Sequence, residues 1–157
     1  MFGAQVEDAS AHDFLALRLR VAGDPITHNS YYVNIQTDGA FNTDLWQHRL
    51  FFRKKNNTWE DLFVSKRSRI SRPSGLHHIY KNLLPKIPFD NFVRTNAGEL
   101  SQHQMPMHRE RIKSIGISIL GANSAVEGKY ELGLDTIKLV NEDDVTYAPP
   151  GTYSAPI

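Results

Sequence analysis

Asp44, His48 and Asp61 lie near one another along the chain, and an imidazole flanked by carboxylates can ligate a metal or run acid–base chemistry. His48 alternates with Trp46 and Leu50 on one strand face, so a hydrogen-bonded, half-buried histidine is the favoured reading. His77-His78 and the stretch from Gln102-His103 to His108 lack the HExxH spacing that sets two ligands on one helix face. Gly121–Lys129 (GANSAVEGK) shares its glycines and lysine with a phosphate loop. Six residues separate those glycines instead of four, and Tyr130 stands where a Ser or Thr would bind magnesium. It joins two strand patterns, with no helix N-terminus to hold an anion, and reads as a hairpin loop. No GxSxG elbow occurs, and Asn56-Asn57-Thr58 is a glycosylation sequon on a predicted loop. No catalytic residue, metal ligand or cofactor is expected.

Aromatic residues offer a different chemistry, the stacking of rings on sugars or on partner side chains. Trp46 and Trp59 each open an alternating strand on its apolar side, so both are expected in the core. Tyr32 falls on the opposite side of its strand, beside Asn34 and Gln36. Together with Arg49 and Phe51, also outward by alternation, it forms the candidate partner-binding face.

The elements that must position these residues have a period of two. Phe14–Val21 sets Leu15, Leu17, Leu19 and Val21 against Ala16, Arg18 and Arg20, the pattern of a half-buried strand. Tyr31–Thr37 follows after a polar turn, and Asp38-Gly39 closes it. Trp46–Arg53, a hairpin loop at Lys54–Asn57, and Thr58–Phe63 come next. Ser114–Leu120 alternates isoleucines with Gly116 and Ser118. Lys129–Val140 is long enough for one strand with a bulge near Gly133, or for two short ones. Met107–Ile112 and Leu76–Leu84 have a helical look, and the Pro-rich tail from Tyr147 reads as disordered. Six or seven short strands between turns predict an all-β antiparallel sandwich or jelly roll.

At 157 residues, with 40% apolar and 22% charged content, the chain is one globular domain. It contains no apolar run long enough to span a bilayer, and cysteine is absent. The first residues lack an apolar signal core, and Glu7, Asp8 and Asp13 are wrong for a transit peptide. The net charge of +1 hides an asymmetry. Residues 64–86 carry six Lys/Arg and no acid, leaving 12 basic against 17 acidic residues elsewhere. That mildly acidic body argues against nucleic acid as a partner.

The segments TDLWQHRLFFR (Thr43–Arg53), TWEDLF (Thr58–Phe63) and IPFDNFVRTNAGEL (Ile87–Leu100) resemble the complex I intermediate-associated protein 30 family, in a fungal-type form. LALRLRVAGDP (Leu15–Pro25) and YYVNIQTDG (Tyr31–Gly39) are similar to its opening pattern. RIKSIGISILG (Arg111–Gly121) and GKYELGLDTIKLV (Gly128–Val140) are similar to its closing pair. The resemblance covers residues 14–145, with 1–13 as a lead and 146–157 as a tail. It implies a galactose-binding-like jelly roll that assists assembly of mitochondrial respiratory complex I in a chaperone-like way, with no shared catalytic set. The partners it implies are assembly intermediates or other assembly factors, with peripheral membrane association. The compartment it implies is the mitochondrion, with the cytosol as the alternative. A carbohydrate-binding module is the alternative function, because the same architecture hosts many sugar binders.

The chain departs from the family pattern in two places. Residues 64–86 interrupt an otherwise continuous TWEDLF–IPFDNF join. The block reads as an atypical insertion: an inert surface loop, a basic amphipathic element with Leu76, Ile79, Tyr80, Leu83 and Leu84 on one face, or a translated intron. The intron is the favoured reading, because Val64-Ser65 can be encoded GTAAGT and Lys86 AAG. Members of the family also begin further upstream, so an incomplete sandwich missing N-terminal strands, with an unpaired sheet edge, is expected here.

Overall fold

The computed structural model describes residues 6–54, 56–62, 87–119 and 124–141. The predicted helix at Leu76–Leu84, the inserted block, His77-His78 and the tail from Tyr147 lie outside the described residues.

Among the described residues nine strands form two antiparallel sheets, an all-β sandwich. β1 (Phe14–Gly23) is the axis of the first sheet. β9 (Tyr130–Val140) pairs with it along its whole length. Along its other side lie β4 (Glu60–Leu62) and β5 (Ile87–Pro88) in succession. The second sheet runs in the order β7 (Glu99–Leu100), β6 (Val93–Asn96), β3 (Asp44–Arg49), β2 (Tyr31–Thr37), β8 (Ile112–Ile119).

Alternation places the core as expected. Leu15, Leu17, Leu19 and Val21 of β1 are buried against Tyr31, Val33 and Ile35 of β2 and Trp46 of β3. Leu50, Leu62, Ile87, Phe89, Phe92 and Ile112 complete that core. Burying each such side chain contributes roughly 1.5–3 kcal/mol, and the packing of both inner faces makes the sandwich cooperative. β9 is a single strand, and its pairing with β1 skips Asp135, a bulge two residues from the expected Gly133.

Three expectations are corrected. Residues 54–57 do not turn a hairpin, because β3 belongs to the second sheet and β4 to the first. The Gly121–Lys129 connection likewise leads from β8 in one sheet to β9 in the other. Its end is tied down where the Lys129 amide donates to Asp24 Oδ2 at 2.6 Å and the Asp24 amide donates to the Lys129 carbonyl at 2.9 Å. Alternation cannot distinguish a return within one sheet from a crossing between two, because both need a polar turn. Met107–Ile112 contributes a single 3-10 turn, Arg109–Arg111, before β8 begins.

Candidate functional site

The second sheet turns Tyr32, Asn34 and Gln36 of β2 outward, in register with Arg49 and Gln47 of β3 and with Ser118, Gly116 and Ser114 of β8. Asn34 stands at the centre of a polar ladder. Gln47 Nε2 donates to Asn34 Oδ1 at 2.7 Å, and Asn34 Nδ2 donates to Ser118 Oγ at 2.8 Å. These amides tie three strands together across the face.

At one end of that ladder the three residues singled out from the sequence come together. Tyr32 and Arg49 are direct cross-strand neighbours. The Arg49 guanidinium carbon lies 5.9 Å from the ring centroids of both Tyr32 and Phe51. Arg49 Nε donates to the Asn29 carbonyl at 2.7 Å, which restrains the side chain of this exposed residue. Phe51 is 57% exposed. Among the described residues no carboxylate pairs with Arg49. The site is thus an exposed arginine beside two aromatic rings, with its Nε committed to a backbone carbonyl.

Trp59 corrects the sequence reading. It lies just before β4, whose Glu60 and Leu62 point inward, so it falls on the outer side of the first sheet, half-exposed. The Arg20 guanidinium covers its ring at 5.3 Å. Gly133 makes room for this pair, because a Cβ there would stand 2.8 Å from Arg20 Nε and 3.1 Å from Trp59. Trp46 is buried as expected, with its indole N–H directed at the Met105 carbonyl.

The proposed acid–base cluster is dispersed. Asp44 is buried in the second sheet, where Arg94 Nη2 and Nε both donate to its Oδ2, at 2.6 and 3.0 Å. Asn96 donates to its other oxygen at 2.7 Å. Burial alone would raise the Asp44 pKa, but the hydrogen bonds from Asn96 and Arg94, with the arginine charge, lower it below 3.8. Asp61 lies in the first sheet beside Arg18. His48 packs against Phe92 with ring centroids 5.6 Å apart, and burial lowers its pKa below the ordinary 6.5. His48 is half-buried as expected, and its Nδ1 finds no hydrogen-bond partner among the described residues.

A second surface feature escaped sequence reading. A groove of about 530 Å³ is lined by Phe89–Val93, Gln104–Met107 and Arg109, with Phe89, Phe92, Met105 and Met107 as its large apolar side chains. Its signal was weak: two methionines flanking Pro106 in an otherwise polar stretch. Arg94 holds this region in place, donating to the His103 carbonyl while its own amide donates to Gln104.

A model of the family described as complex I intermediate-associated protein 30 matches residues 82–134, a span that includes β5 to β8 and the first part of β9. The Neurospora crassa protein "Complex I intermediate-associated protein 30, mitochondrial" is 28% identical over 144 residues. That alignment takes in 92% of this chain and 40% of the relative, so the chain spans about two fifths of the curated protein it matches.

Proposed function

Because the chain belongs to the complex I intermediate-associated protein 30 family, we propose that it acts in the assembly of mitochondrial respiratory complex I. In this reading it is a non-catalytic, chaperone-like binding domain that works in the mitochondrion. Its partners are assembly intermediates or other assembly factors, which it holds through the outer face of the second sheet. The observation that carries the mode of action is the junction of Tyr32, Arg49 and Phe51 into one exposed anchor.

The surroundings of that anchor narrow the kind of partner. The outward positions of the second sheet, from Tyr32, Asn34 and Gln36 through Gln47, Thr95, Ser114 and Ser118, carry no carboxylate. Among these register positions, which also include Leu45 and Val93, Arg49 is the charged side chain. A partner surface with an acidic side chain beside an apolar one matches it: the carboxylate meets the guanidinium and the apolar group covers Phe51.

Co-migration tests the proposal. Mitochondrial extracts resolved on native gels, then on a denaturing second dimension, are probed for this chain. It is expected to migrate with subcomplexes smaller than mature complex I and to lose that association when Arg49 and Phe51 are replaced by alanine and serine. Migration as the free chain alone, or binding on a glycan array that vanishes in the same variant, would refute the assembly role and favour a carbohydrate-binding module.

A further inference from the structure

His103–His108 (HQMPMH) sets two thioethers between two imidazoles. The stretch lacks the spacing of a zinc site, but its sulfurs belong to a different chemistry. The chain has three methionines and no cysteine, so two of its three soft sulfur donors fall here. Methionine ordinarily fills irregular gaps in a core. Met105 does not, being 48% exposed, and Met107 packs against the core while staying partly exposed. Both line the groove beside Phe89 and Phe92. The backbone that carries them is restrained. Pro106 fixes its own φ at about −65° and disfavours helical backbone at Met105. The Met105 carbonyl faces the indole N–H of buried Trp46 at 3.4 Å, and the Met107 carbonyl accepts from the Arg109 amide at 2.9 Å. Gln104 Nε2 donates to the carbonyls of Arg94 and Ser101, at 2.9 and 2.7 Å. Next in the chain, His108 Nδ1 lies 3.2 Å from Glu110 Oε1. An ionised carboxylate only accepts, so Nδ1 carries the proton and the lone pair stands on Nε2. That is the arrangement by which a carboxylate orients a metal-ligating histidine.

We propose that Met105, Met107 and His108 bind one copper(I) ion, with Glu110 orienting the imidazole. The donors select the metal. Thioethers suit copper(I), whereas zinc, calcium and magnesium call for thiolate, imidazole or oxygen sets. Among the described residues no three His, Asp or Glu side chains gather to hold such an ion. The three donors are neutral, and Glu110 is the one carboxylate bonded to them, which balances a single positive charge. Exposure of Met105 and His108 lets the ion enter from solvent. Once bound, it would tie three side chains of one short segment together and stiffen the side of the groove that they form. The site is independent of the assembly role, and either reading stands without the other.

Anaerobic calorimetric titration of the full chain with copper(I), supplied as its acetonitrile complex, tests this. One equivalent is expected to bind, and X-ray absorption of that sample is expected to show two sulfur neighbours and one nitrogen. Met105→Leu and Met107→Leu keep the volume and apolar character of the side chains, so both are expected to fold as wild type does. Each is expected to weaken binding about tenfold or more, at least the cost of losing an outer-shell partner. Glu110→Gln is expected to weaken it about tenfold through the imidazole. Thioethers take up no proton in water, so the affinity is expected to fall by at most about tenfold per pH unit below the ordinary histidine pKa of about 6.5. His108→Leu is expected to bind more weakly and to lose that pH dependence. Should the leucine variants fold poorly, the absorption spectrum of the wild type decides alone. No binding, or a spectrum without sulfur, would overturn the proposal. Undiminished binding by the Met105→Leu, Met107→Leu double variant would overturn it too, and would mean an adventitious ion on surface histidines only. So would zinc(II) binding as tight as that of copper(I).

Discussion

Arg49 and Phe51 test how far single side chains can carry binding without carrying stability. Both lie at the surface, so Arg49→Ala and Phe51→Ser are expected to leave thermal stability within about 1 kcal/mol of wild type. Each is expected to weaken partner capture about tenfold or more, as loss of an interface anchor does, in pull-downs quantified against wild type. Asp44 behaves in the opposite way. Asp44→Ala leaves the Arg94 guanidinium buried without its carboxylate, and is expected to cost about 3–5 kcal/mol in urea unfolding. Strand alternation was enough to point Tyr32, Arg49 and Phe51 outward. It could not foresee Arg94, which lies 50 positions beyond Asp44 with no pattern that announces the pair. Trp59 was misplaced for a related reason. Its ring is apolar enough for a core, but β4 begins one residue later and presents Glu60 and Leu62 inward.

At the scale of elements, β1 and β2 were readable almost to the residue, because each alternates without interruption. The connections were not. A polar turn between two strands has the same composition whether the chain returns beside itself or crosses to the opposite sheet. Gly23 shows what such a crossing demands. It ends β1 at φ 83°, and a Cβ there would stand 2.2 Å from the Lys129 carbonyl oxygen. That neighbour is backbone, so it cannot swing aside. Gly23→Ala is therefore expected to destabilise by about 2 kcal/mol or more, combining left-handed strain with a displaced β9. Gly133→Ala meets the flexible ends of Arg20 and Trp59 instead. It is expected to cost about 1 kcal/mol in the same assay, and to shift tryptophan fluorescence as the ring pair is displaced.

The whole molecule responds to acid through groups held by the packing of both sheets. Burial keeps the His48 pKa below 6.5, so the unfolded chain takes up this proton first as pH falls. The stability His48 contributes is complete above that value and declines below it. The Asp44 pKa, depressed below 3.8, gives a second decline at lower pH by the same sign. Chemical unfolding across pH 7.5 to 3 is expected to show both declines, with the first absent in His48→Gln and the second absent in Asp44→Asn. Composition and alternation together made the all-β class readable at this scale, while the distribution of strands between sheets depended on pairings between residues distant in sequence.

The most direct test of the assembly role is the amount of mature complex I on native gels from a strain deleted for this gene. The strain is complemented either with wild type or with the Arg49→Ala, Phe51→Ser double variant. Loss of complex I in the deletion, restored by wild type and not by an equally abundant variant, is the expected result. Normal complex I in the deletion strain would contradict the role itself, and full rescue by the variant would contradict the face assigned to it.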